Sequence, residues 1–165
     1  MLGPLHTKTK LALFLVPAIG SLVFLLWWFQ PERVIMRRFD AFLEIIDVSL
    51  LRTDTSPQNE EALRMLLAPE VEFLAPDPIP DGPRTPADVA RSLERLHESV
   101  ASCKVQRTEP SIQFPHSKEG RLGTTLQAII SGGGGTKVTR RFRAEFLYKK
   151  GPGGWKIHRI GLREL

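Results

Sequence analysis

At Cys103 the periodicity of this sequence changes, and that change limits the folds open to it. Before it, apolar residues recur at helical spacing; after it, they alternate every second position. The alternating stretches are 103–114, 121–131, 137–149 and 154–163, and "SGGGGTK" and "KKGPGGW" supply the turns that join the last three. In the third stretch Val138, Phe142, Ala144, Phe146 and Tyr148 alternate with Thr139, Arg141, Arg143, Glu145 and Lys149. Arg140 falls on the apolar side of that pattern, near one end. One face of the resulting sheet is therefore apolar and must be covered, and the other is basic. Antiparallel strands after a run of helices predict an α+β domain with helices on one sheet face.

The final hairpin carries the same alternation, with Tyr148, Trp155 and Ile157 inward and Lys149, Lys156 and His158 outward. Beyond Ile157 the pattern would turn Arg159 inward and Ile160 outward, which predicts a bulge or the end of the covered sheet.

Upstream of Cys103, Pro31 suits a first helical position and opens a helix over about 31–51. Ile35, Phe39, Phe42, Leu43, Ile46 and Leu50 share its apolar face, and Arg33, Arg37, Asp40, Glu44 and Asp47 share the other. A second helix starts with Ser56 as cap and Pro57 in the first turn, and stops before Pro69. "VEFLAP" then reads as a short strand, and "PDPIPDGPRTP" holds prolines too dense for a helix or a central strand. Thr85, Pro86 and Asp88 form a capping signature for a third helix over about 86–101, with Val89, Leu93, Leu96 and Val100 as its buried stripe and His97 beside it.

The N-terminus has a different character. Residues 11–29, "LALFLVPAIGSLVFLLWWF", are 19 positions without a charge, and Ser21 is the one polar residue. As a helix they would rise about 28 Å, close to the hydrocarbon thickness of a bilayer. Trp27, Trp28 and Phe29 end the run, where aromatic rings suit the interface. The exit "LWWFQPER" offers no small-residue cleavage site, so an uncleaved anchor is expected rather than a signal peptide. Charges flank it almost evenly, with Lys8 and Lys10 before and Arg33, Arg37 and Arg38 after. With the short N-terminal tail, 1–10, and the signal-anchor form, the N-terminus is expected inside and the main domain, 31–165, on the outer, periplasmic side of a cell inner membrane.

The order of elements, with "LLAPEVEF" closing the second helix and "GWKI" in the last strand, resembles the nuclear transport factor 2-like superfamily, which includes the SnoaL-like proteins. The resemblance covers about residues 31–165. It implies a cone-shaped curved antiparallel sheet wrapped by three helices, often with an internal pocket and often dimeric through the sheet. Some members are enzymes with inward acid–base residues; many only bind a partner or ligand. A domain of this fold behind one membrane span also has the layout of the inner-membrane assembly component of bacterial type IV secretion machines, an analogy of fold and layout alone.

The residues expected to line the pocket or core are Phe39, Phe73, His97, Phe142, Phe146, Tyr148 and Trp155. Tyr148 is expected at the core edge with its hydroxyl in water. Asp40 lies on the polar face of the first helix, and Arg140 is expected to reach solvent, so spacing assembles no acid–base pair. The glycine run 132–135 lacks the lysine–serine or lysine–threonine ending of a phosphate loop. His6, His97, His116 and His158 are scattered, so no metal or other cofactor is implied.

Charge singles out the C-terminal third. Residues 119–165 hold 10 basic and 3 acidic residues, whereas 31–118 hold 11 and 15. The basic face comprises Lys137, Arg141, Arg143, Lys149 and Lys156. Strand aromatics point away from it, so nucleic acid is not the expected partner. The expected function is a membrane-anchored, non-catalytic domain for partner or ligand binding, in contact with the membrane and with a protein partner or a second copy through the sheet. A small-molecule enzyme or carrier using the cone is the alternative.

Overall fold

The structure is a computed structural model that describes residues 19–21, 23–47, 56–76, 81–132 and 136–165. The chain divides into two compact units, Met1–Met36 and Arg37–Leu165. In the first, residues 19–21 and 23–28 are helical and Pro31 opens helix α1, Pro31–Ile46. Among the described residues no helix is long and apolar enough to cross a membrane. Of the expected anchor 11–29, residues 11–18 and 22 lie outside the described residues, as does the expected helical end beyond residue 47.

The second unit is a curved, unclosed sheet with helices against it. Helix α2, Ser56–Leu66, runs directly into strand β1, Leu67–Leu74; β2, Gly82–Arg84, and helix α3, Pro86–Ser99, follow. Then come the long strands β3, Ser102–His116, β4, Glu119–Ser131, β5, Lys137–Gly151, and β6, Gly154–Glu164. The sheet order is β2-β1-β6-β5-β4-β3. The period-two stretches thus become the four strands within a few residues of their expected limits.

Three features depart from the sequence reading. The sheet is mixed rather than purely antiparallel, because β1 runs parallel to β6. The proline-dense loop contains β2, which pairs antiparallel with β1 through Val71 opposite Arg84 and Phe73 opposite Gly82. Pro83 can sit in it because β2 is the terminal strand, where a missing N–H breaks no ladder. The short strand also begins earlier than expected, at Leu67.

On one face of β4, β5 and β6 lies an apolar layer, on which Phe39 and Phe42 of α1 pack at Phe146 of β5. Leu122 lies opposite Phe146 and Thr124 opposite Ala144, while Phe146 lies opposite Ile160 and Tyr148 opposite Ile157. All seven are buried. The register between β5 and β6 shifts after Leu147, which keeps both Ile157 and Ile160 buried and turns Arg159 outward to Glu72 at 2.6 Å. The break in alternation beyond Ile157 is therefore a bulge. A second irregularity lies in β3 between Thr108 and Ser111, where Glu109 takes a left-handed conformation (φ 43°). The Thr108 carbonyl there accepts a 2.8 Å bond from the buried Thr124 hydroxyl, which satisfies the polar side chain on the covered face.

Cations tie the C-terminus of α2 to the rest of the unit. Arg38 Nη1 donates to the Met65 carbonyl and Lys156 Nζ to the Arg64 carbonyl, each at 2.8 Å. The last carbonyls of a helix lack intrahelical donors, and its C-terminus favours positive charge. Gly154 makes room for this arrangement. Its φ of 87° suits glycine, and a Cβ there would come within 3.0 Å of Arg38 Nη2. At the start of α3, Thr85 accepts from the Asp88 N–H while the Asp88 carboxylate accepts from Thr85, the capping box that the sequence predicts.

Trp155 is 3% exposed, with Phe114 edge-on at 6.0 Å between ring centres. Trp155→Ala is expected to destabilise the protein by about 3–5 kcal/mol, read as a lower midpoint in denaturant unfolding. An unchanged midpoint would place the indole on the surface.

Candidate functional site

The covered face of the sheet is a close-packed aromatic cluster. Phe39 lies 4.9 Å from Phe146 and Phe42 lies 6.0 Å from it, in tilted and edge-on arrangements that aromatic quadrupoles favour. Phe39, Phe146, Tyr148 and Trp155 are buried, whereas Phe73, His97 and Phe142 are half-buried. The residues expected at the core are thus brought to one side of the sheet or its rim, but they pack rather than line an open chamber. Phe114, which pairs with Trp155, is a contact that no local pattern marks, since β3 carries prolines at 110 and 115.

Tyr148 corrects the sequence reading. Its hydroxyl, expected in water, is fully buried and has no hydrogen-bond partner among the described residues. Burial raises its pKa well above the ordinary 10.0; the positive charge of Arg38 works against that rise and the negative charge of Asp40 adds to it. His97 Nε2 is likewise buried without a partner among the described residues. Among the described residues, no hydrogen bond joins the Tyr148 hydroxyl or His97 Nε2 to each other or to Asp40.

The polar opening of the unit lies between α1 and β3. A cleft of about 760 Å³ is lined by Asp40 and Glu44 from α1, by Asp47 just beyond its end, and by Lys104 and Arg107 from the strand, with Leu43 and Val105 between them. Arg107 Nη2 approaches both oxygens of Asp40, at 3.0 and 3.3 Å, and its guanidinium lies 5.7 Å from the Phe39 ring centre. Asp40 is thus engaged by a cation at the mouth of the domain. Both side chains are about a third or more exposed, so water screens the pair. Nearby, burial raises the pKa of Cys103, and the charge of Asp47 adds to the rise. Such an opening can hold a small molecule carrying both charges and an apolar part. Among the described residues no group of three or more His, Cys, Asp or Glu side chains could hold a metal ion.

The opposite sheet face is open. Register places Thr125, Arg143 and Arg163 in one row across β4, β5 and β6, and Gly123, Glu145 and Gly161 in the next. Gly123 lines a groove of about 470 Å³ whose walls include Arg121, Arg143, Ser111 and Glu145. Arg141, Arg143 and Arg163 are exposed and have no carboxylate within ion-pair distance among the described residues. Lys137 and Lys149 share this exposure. Lys156 departs from expectation: it is half-buried, and its ammonium caps α2 rather than facing a partner. Arg140, at the strand end, is exposed and lies 3.7 Å from Glu164. Burial lowers the pKa of His158 and the charges of Lys149 and Lys156 lower it further, so this end of the sheet disfavours another cation.

Tyr148 is the single tyrosine of the chain, so its ionisation can be followed directly. The unfolded chain ionises near 10.0 and the folded one does not, so this residue's share of stability is present below that pH and lost as pH rises through it. Native protein is expected to show no tyrosinate absorbance until it unfolds in alkali. Tyr148→Phe, which removes an unpartnered buried hydroxyl, should leave stability unchanged or raise it by about 1–3 kcal/mol. A reversible titration near 10.0 with the fold intact would put the hydroxyl in water.

No protein-family profile matches this sequence, and no curated protein matches it significantly. Solved structures do match the fold. A nuclear transport factor 2-like superfamily protein from Salmonella enterica serovar Typhimurium is 14% identical and superposes with a TM-score of 0.64, covering 81% of this chain and 90% of that one. A nuclear transport factor 2-like protein from Cytophaga hutchinsonii, 14% identical, gives 0.60 over 81% of this chain and 98% of its own. A hexachlorocyclohexane dehydrochlorinase from Novosphingobium barchaimii, 12% identical, gives 0.63 over 81% and 86%. Identities this low speak for fold, and together with the strand order they show that this chain has the nuclear transport factor 2-like fold.

Proposed function

We propose that this chain is a membrane-anchored, non-catalytic binding domain whose partner is an acidic protein surface docking on the outer sheet face. The anchor is the apolar segment 11–29, and the domain stands on the periplasmic side of a cell inner membrane, as an assembly component of an envelope complex would. The observation that carries the reading is the Arg143–Arg163 pair. Like charges directly opposite on neighbouring strands destabilise a sheet, and neither has a carboxylate partner among the described residues to offset that. An acidic surface would convert the repulsion into paired, charge-assisted hydrogen bonds. Nucleic acid fits less well, because Phe142, Phe146 and Tyr148 belong to the other face and no aromatic ring stands among these arginines for bases to stack on. A second copy docked through the same sheet would bring arginines against arginines unless the two-fold set Glu145 opposite Arg143. That homodimer is the less favoured arrangement.

One observation favours a second reading, a small-molecule carrier or enzyme. The cleft that holds the Asp40–Arg107 pair is wide enough for a ligand, and the dehydrochlorinase shares this fold. Against catalysis, the two buried polar atoms, His97 Nε2 and the Tyr148 hydroxyl, hydrogen-bond to no titratable neighbour among the described residues.

Reversing charge at three positions, Arg141→Glu, Arg143→Glu and Arg163→Glu, is expected to abolish co-purification of an acidic partner that detergent-solubilised wild-type protein retains, and raised salt should weaken wild-type binding. Melting temperature should change little, because the opposed Arg143–Arg163 pair becomes an opposed pair of glutamates and the like-charge repulsion persists with its sign reversed. Equal recovery of every partner by both proteins would remove the outer face from the account.

A further inference from the structure

Residues 23–29 carry an apolar surface of unusual form. Val23, Phe24, Leu25, Leu26, Trp27, Trp28 and Phe29 are consecutive, and their exposures run from 42% for the two tryptophans to 67% for Leu26. Six successive helical positions, 23–28, each turned about 100° from the last, cover the whole circumference rather than one stripe. A partner helix or a second copy would cover one side; a lipid environment covers all sides. At the C-terminal end of this stretch the rings cluster, with Phe24 centred 5.6 Å from Trp28 and 6.0 Å from Trp27. Across the helix break at Gln30, the Arg33 guanidinium stacks 3.5 Å from the Trp27 ring centre. Stacking uses the flat face of a guanidinium and leaves its in-plane N–H donors pointing outward. Arg33 is exposed and has no carboxylate at ion-pair distance among the described residues.

We propose that the Trp27–Arg33 stack is a lipid-phosphate site that fixes the depth of this chain in the bilayer. It rests on the membrane-anchored reading above. Trp27 and Trp28 lie at the level of the headgroups, residues 23–26 enter the hydrocarbon, and Arg33 donates its in-plane N–H groups to a headgroup phosphate. Trp27 neutralises part of the cost of holding the cation at this boundary through its ring face, so the two side chains act as one collar.

Full-length protein in phosphatidylcholine vesicles tests this, with lipids brominated either near the headgroup or near the chain end. The difference in quenching between wild type and the Trp27→Phe, Trp28→Phe double variant isolates these two indoles, with Trp155 left in place. Shallow bromine is expected to quench them more than deep bromine. Arg33→Gln should shift quenching towards the deep bromine, while free inorganic phosphate added to the wild type in detergent should leave its tryptophan emission unchanged. Stronger quenching by deep bromine in the wild type, an Arg33→Gln pattern identical to wild type, or an emission response to free phosphate would overturn the collar while leaving the anchor standing. Vesicle flotation without any quenching would mean that protein, such as a second copy, covers the rings. Failure of the full-length chain to float with vesicles at all would overturn the anchor and the collar together.

Discussion

Phe146 is the side chain on which the folded unit depends. It stands in the middle of β5, between Leu122 of β4 and Ile160 of β6, and receives Phe39 and Phe42 from α1. Each phenylalanine buried in this way contributes roughly 1.5–3 kcal/mol through area removed from water, and each ring pair adds about 0.5–1.5 kcal/mol. Without that cover the apolar sides of three strands would face water. With it, α1 is fixed to the sheet, and the opening that remains lies at its edge, where Asp40 and Arg107 meet.

The same packing separates the two chemistries of the sheet. Alternation buries Ala144, Phe146 and Tyr148 of β5 on the covered face and sends Arg141, Arg143 and Leu147 to the other, so the basic face follows from the covered one. Two polar groups are held inside this apolar layer, and they fare differently. Thr124 meets a carbonyl freed at an irregularity in β3, whereas Tyr148 meets none among the described residues. A hydroxyl left this way lowers stability, so the fold should tolerate its removal.

Much of this was legible from local pattern. The four long strands, the break after Ile157, the capping box at Thr85 and the split between an apolar and a basic face all come from spacing of two or three residues. What local pattern could not show depends on partners distant in the chain. β2 is three residues long and contains Pro83, so it becomes a strand only because β1 offers an edge. Lys156 alternates outward, yet Arg64 places a helix end within its reach, 92 residues earlier. The Tyr148 hydroxyl is buried by a helix that ends more than a hundred residues before it, and no feature near position 148 reveals that. The candidate site divides in the same way: Arg141 and Arg143 were readable as part of a basic face, whereas Arg163 opposite Arg143 and the Asp40–Arg107 pair, joined across 67 positions, depend on register and packing.

The central claim is that α1 closes the sheet through direct contact between Phe39 and Phe146. A double-mutant cycle of Phe39→Leu and Phe146→Leu, read by denaturant unfolding, measures that contact alone. A coupling of about 0.5–1.5 kcal/mol is expected between the two positions. Additive losses, with no coupling, would mean that the rings do not meet and that the interior is open where this structure has it filled.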